Sequence, residues 1–219
     1  MASNKQYNNF IGKIMTIRIH QGDLPNLDNY TSSQVAIDTE TMGLQTLRDR
    51  LCVVQLSCGD GSADIVQIAK GQTSAPNLQK LLGDKNVTKL FHFARFDMAA
   101  LQHSFGVIVG PVYCTKIASK LARTYTDRHG LKDLCRELLS VDMSKQQQSS
   151  DWGANELSVA QQKYAASDVL YLHDIKRHLD RMLKREGRDG LAQRAFEFLD
   201  ARVELDLAGW SESDIFAHS

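Results

Sequence analysis

Apolar and polar positions change their rhythm along the chain, and the changes mark out the elements. After a polar, Asn-rich start, the first strand-like stretch runs from Thr16 to His20. Gln34 to Glu40 (QVAIDTE) reads as a strand, Leu51 to Ser57 (LCVVQLS) as a second and Ala63 to Ile68 as a third. Gly59-Asp60-Gly61 is the turn between the last two, so the three strands predict an antiparallel meander. The period then lengthens. Pro76 to Leu82 predicts a short helix ended by Gly83, Thr88 to Phe93 a further strand, and Arg95 to Phe105 a helix stopped by Gly106. Short helices follow over 114–124 and 130–139, and the polar stretch Lys145 to Asp151 reads as a loop. A long helix is predicted from Ser158, where Ser158 and Gln161 carry a capping-box pattern, to about Glu186 with Gly187 as its stop. A last helix covers roughly 190–203.

A meander followed by alternating helix and strand predicts an α/β fold. Its mixed central sheet combines the three antiparallel strands with parallel ones and is flanked by helices. Residues 1–14 are set aside as a leader or tag, and 15–219 are read as one domain ending in a helical tail. That length suits a single core.

Composition narrows the partners. Lys+Arg and Asp+Glu both number 26, so the formal net charge is zero, which argues against a protein that coats long nucleic acids but not against a short substrate. Six Lys/Arg between Lys116 and Arg136 make a local basic stretch. No apolar run approaches the roughly 18 residues of a membrane span, and the N-terminus lacks the apolar core of a signal peptide. Cys52, Cys58, Cys114 and Cys135 show no metal-binding spacing and read as reduced thiols, which points to the cytoplasm.

The chemistry lies in carboxylates set against apolar packing. Asp38 and Glu40, two apart on a strand, share a face, with Val35 and Ile37 on the other. Alone they could be exposed charges at a strand end. On the long helix the apolar stripe Leu172, Ile175, Leu179, Met182 extends backwards to Asp168, with Tyr164 one turn earlier. An aspartate on such a stripe needs a partner or a metal. Asp97 likewise begins an apolar face that continues through Leu101 and Phe105, although an aspartate in a first helical turn is also favoured by the dipole. Four such carboxylates and a tyrosine together call for a hard dication. Oxygen-only ligation selects Mg²⁺ or Mn²⁺, and a pair of ions would suit phosphodiester hydrolysis.

Ala36-Ile37-Asp38-Thr39-Glu40-Thr41-Met42-Gly43-Leu44, His92-Phe93-Ala94-Arg95-Phe96-Asp97 and Tyr164-Ala165-Ala166-Ser167-Asp168 resemble the three motifs of the DEDD exonucleases. The Tyr-x-x-x-Asp spacing is that of the tyrosine branch; the position where the histidine branch carries His is Lys163. Gln148-Ser149-Ser150-Asp151-Trp152 resembles the RNase D family. CTKIASKL, RTYTDRHGLK, SKQQQSSDW and ELDLAGWSESDIFAHS are similar to its compact nano-RNase C group in alphaproteobacteria. The resemblance implies an RNase H-like exonuclease fold and 3′→5′ hydrolysis of very short RNAs, notably 5′-phosphorylated dinucleotides. It also implies two divalent ions and a homo-octamer; action on DNA ends is associated with the group as well.

By the same resemblance Asp38, Glu40 and Asp168 hold one ion. Asp38 bridges to a second near Asp97, and Tyr164 orients the attacking water. Thr41, Leu44, His92, Phe93, Gln148, Ser149 and Trp152 are candidates for substrate contact. Leu44 would wedge against the bases, and His92 would touch the 3′ nucleotide or its phosphate. Trp210 and Phe216, isolated among polar residues of the tail, point to a subunit contact. The alternatives are an enzyme trimming longer RNA ends, a DNA exonuclease, or a non-catalytic scaffold. The last fits poorly, because all five active-site residues are present.

Overall fold

The computed structural model describes residues 16–144 and 146–218. The expected leader or tag, 1–14, lies outside the described residues. Six strands, β1 (Thr16–Gln21), β2 (Gln34–Thr41), β3 (Leu51–Ser57), β4 (Ser62–Gln67), β5 (Thr88–Phe91) and β6 (Val112–Cys114), form one sheet in the order β1-β4-β3-β2-β5-β6. The meander β2-β3-β4 is antiparallel, while β1 on β4, β5 on β2 and β6 on β5 are parallel. The mixed α/β sheet is the expected one. β6 was not expected, because a three-residue strand is too short to show a period.

Helices cover both faces, which explains why every residue of β3 and β4 is buried. α1 (Pro76–Gly83), α2 (Ala94–Phe105) and α3 (Thr115–Ala122) follow the strands, and α4 (Leu131–Leu134) runs into a π-helical turn over Cys135–Leu139. The capping box forms at the start of α5 (Val159–Leu170). The Gln161 N–H donates to Ser158 Oγ at 3.2 Å, and the Ser158 N–H donates to Gln161 Oε1 at 2.9 Å.

The expected single long helix is two. α5 ends at Leu170 and α6 spans Leu172–Arg185, with Tyr171 between them at φ −102°, ψ −7°. No glycine or proline marks the break. α5 packs on β2, β3 and β4, whereas α6 packs on α3 and β5. Serving two different surfaces bends the chain where one straight helix could serve only one. The last expected helix is also divided, into α7 (Asp189–Glu197) and α8 (Leu199–Leu205), followed by a π-helical turn over Asp206–Trp210.

The four cysteines are free, with Cys52, Cys114 and Cys135 buried and Cys58 half-buried. Among the described residues, no helix is long and apolar enough to cross a membrane.

Candidate active site

β2 turns Asp38 and Glu40 to the face that α5 covers, and α5 supplies Asp168 and Tyr164 from successive turns. One carboxylate oxygen from each of Asp38, Glu40 and Asp168 lies within 4.8 Å of the other two. Burial pushes the Asp38 carboxyl up to about 7. Burial, with Asp38, Asp168 and Asp97 nearby, pushes Glu40 up to about 10. Asp168 rises well above the carboxylate range through burial and the Asp38 charge. Carboxylates crowded together away from water resist ionising, and a hard dication would relieve that repulsion. The donor set therefore fits Mg²⁺ or Mn²⁺.

Asp97, in the first turn of α2, stands outside that trio. Only 3% exposed, it accepts a hydrogen bond from Thr39 Oγ1 at 2.7 Å. Burial and the charge of Asp38 push its pKa up as well, so it shares the electrostatic field of the trio without sharing its geometry.

One participant went unrecognised in the sequence. Gln55, fully buried on β3, is the cross-strand partner of Asp38 and donates from Nε2 to Asp38 Oδ2 at 2.7 Å. This bond steadies the carboxylate. The signal was available as the single amide in LCVVQLS, a strand otherwise built to be buried.

The trio opens into a cleft of about 650 Å³, which Thr41, Leu44, His92, Gln148, Ser149, Trp152 and Tyr164 also line. Lys116 and Lys132, from the basic stretch, reach the same cleft. Phe93 does not line it. Phe93 turns into an adjoining groove of about 670 Å³ that begins at Leu44 and Phe96. The reason is its backbone: Phe93 stands at φ 73°, and its ring lies under Lys116 Nζ at 4.4 Å.

Leu44 is 85% exposed, so it is no core leucine. The loop that carries it is built around Asp49, which accepts the Gln45 N–H at 3.0 Å and occupies space that any side chain at Gly43 would need. Trp152 is 3% exposed and packs against Tyr164 with ring centroids 5.9 Å apart, so it is first a packing residue. Gln161 ties its loop to α5, donating from Nε2 to the Asp151 carbonyl at 2.9 Å.

The sequence model of the 3′–5′ exonuclease family matches residues 24–184. The chain belongs to that 3′–5′ exonuclease family. Within the family it stands with the RNase D type. It is 37% identical over 167 residues to the ribonuclease D of Acidiphilium cryptum, an alignment covering 76% of this chain and 42% of that protein. The chain therefore spans less than half the length of that curated relative. In contrast, the structure of Brucella melitensis NrnC with bound Mg²⁺ is matched along 100% of its length and 94% of this exonuclease, at TM-score 0.91 and 64% identity. The structure of the same Brucella protein bound to pGG is similar at TM-score 0.92.

Proposed function

We propose that this exonuclease hydrolyses very short RNAs from the 3′ end, preferring 5′-phosphorylated dinucleotides and releasing nucleoside 5′-monophosphates. The reading rests on the half-buried carboxylate trio in a cleft that also offers two lysines. It is supported by the likeness to the Brucella protein solved with pGG. Neutral net charge agrees with a substrate of few phosphates.

Asp38, Glu40 and Asp168 would hold one divalent ion, with Asp38 turned also toward a second near Asp97. Such ions, when bound, neutralise charge on the scissile phosphate and acidify water. The protein's own groups do the rest. Burial, and after it Asp168, Glu40 and Asp38, push the Tyr164 phenol above its ordinary range. It therefore stays protonated and serves to orient the attacking water rather than to deprotonate it. Lys116 and Lys132 supply positive charge for the substrate's phosphates. Leu44, Phe96, Leu131 and Met143 give apolar surface on which bases can rest. 5′-Phosphorylated RNAs of two to seven nucleotides, assayed with Mg²⁺ and with EDTA, test the reading. The dinucleotide is expected to be cleaved fastest and EDTA to stop all cleavage; equal rates at every length would remove the dinucleotide preference.

The active form is proposed to be a homo-oligomer, an octamer by resemblance. Arg95 and Arg202 clamp the tail through Asp206, yet Trp210 remains 49% and Phe216 75% exposed. Exposed rings on a segment so firmly held suit burial by a neighbouring copy. Light scattering is expected to give a mass several times that of the chain, and a monomer would overturn the claim. The cytoplasm is the proposed location.

A further inference from the structure

Deepening that reading, the hydrogen bonds around His92 specify what it can recognise. His92 follows β5 and lines the cleft. Its Nδ1 lies 2.9 Å from Thr115 Oγ1. The Thr115 hydroxyl has a single proton and donates it to the Phe91 carbonyl at 3.0 Å, an oxygen that can only accept. Toward the ring the same hydroxyl is therefore an acceptor, so Nδ1 carries the imidazole proton. Thr115 is fully buried, which removes water as an alternative partner for its proton. A second ring proton is opposed first by burial and then by the neighbouring charge of Lys116. Nε2 is left as a lone pair on a ring that lines the substrate's cleft.

A lone pair repels phosphate oxygens, which offer only lone pairs themselves, so of the two contacts expected from the sequence the phosphate drops out. Phosphates suit Lys116 and Lys132 in the same cleft, and bases suit its apolar walls. The group bonded to the scissile phosphate that has protons to donate is the sugar. We infer that His92 Nε2 accepts a hydrogen bond from a ribose hydroxyl of the 3′-terminal nucleotide, so that His92 reads the sugar. The 2′-hydroxyl would make it a discriminator of RNA from DNA; the 3′-hydroxyl would make it a reader of the free end.

A cycle over substrate and enzyme tests this. The substrates are a 5′-phosphorylated ribodinucleotide and its counterparts lacking the 2′- or the 3′-hydroxyl on the 3′ nucleoside. The enzymes are the wild type, His92→Ala, His92→Gln and Thr115→Val. The wild type is expected to favour the full ribose over one of the two deoxy substrates by about 10-fold or more in kcat/KM, the scale of one hydrogen bond. His92→Ala is expected to lose that preference while changing little on the deoxy substrate that lacks the donor. His92→Gln, with an acceptor oxygen near the place of Nε2, is expected to keep most of it. Thr115→Val, which releases the tautomer without touching substrate, is expected to weaken it. If His92→Ala slows all three substrates by one common factor, or couples to the 3′ base instead of the sugar, the assignment is overturned and the exonuclease reading stands. A wild-type chain that hydrolyses none of them removes that underlying reading, and the role of His92 with it.

Discussion

Asp38→Asn is expected to lower hydrolysis of a labelled dinucleotide by at least about 10³-fold, while raising the melting temperature of the metal-free protein. Both effects come from the same charge. Asp38 has a carboxylate oxygen within 4.8 Å of one on Glu40 and one on Asp168, and its charge also reaches Asp97, so it raises the proton affinity of all three. The amide removes that repulsion, keeps the shape, and still meets Gln55 through one of its two ends. Relief of one like-charge contact at a half-buried site is worth roughly 1–2 kcal/mol, or a few degrees in a domain of this size. The ligand is lost at the same time. Forfeiting about 4 kcal/mol of charge stabilisation at the phosphate corresponds to the loss in rate. Tyr164→Phe is the contrasting variant: it should slow turnover yet leave Mg²⁺ binding, read by calorimetry, almost as it was. Asp38→Asn with full activity, or with a lower metal-free melting temperature, would contradict the account.

The second large effect is a dependence of stability on pH that metal should cancel. A carboxyl whose folded pKa is raised stabilises the fold below its unfolded pKa, near 4, and loses that contribution as pH climbs through the folded value. Asp38 at about 7, Glu40 at about 10, and Asp97 and Asp168 well above the carboxylate range all act in this direction. Other groups limit the useful window. His92 and His173, pushed down by burial, make the fold more stable as pH rises toward 6.5, and Lys89, lowered to about 8, does the same above that value.

Between pH 6.5 and 8 the acidic cluster dominates. Each proton that the folded state alone retains gives a slope of roughly 1.4 kcal/mol per pH unit, so even one or two in excess of the opposing groups decide the sign. In EDTA the melting temperature should therefore fall by about 5–10 °C across the window. Saturating Mg²⁺ displaces those protons and stabilises the folded state, so the fall should vanish or reverse. Asp38→Asn should flatten it even without metal. A melting temperature in EDTA that stays level from pH 6.5 to 8 would mean that the carboxyls are not held as described.

Much of this protein was legible before any coordinates. The alternation in QVAIDTE put Asp38 and Glu40 on one face because a strand has a period of two. The stripe through Leu172 and Ile175 pointed to Asp168 and Tyr164, but it lies on α6; what turns those two residues to the sheet is the packing of α5 on β2, β3 and β4. Local signals also held where their physics is local, as in the Ser158–Gln161 box and the left-handed Gly106 that stops α2. Gln55 was missed because nothing along LCVVQLS names the residue across from it; only the register of β2 on β3 does.

The remaining departures have the same origin. Tyr171 breaks a periodic helix because α5 and α6 answer to different surfaces, and Phe93, on a backbone of positive φ, lines the adjoining groove. Thr115 meets the His92 ring from 23 residues away. The sequence by itself determined most of the strands and helices and marked the acidic candidates, since periodicity and capping act within a few residues. Only the tertiary structure decided which polar atoms meet. A hydrogen bond forms between groups close in space, and residues distant along the chain become neighbours only through packing.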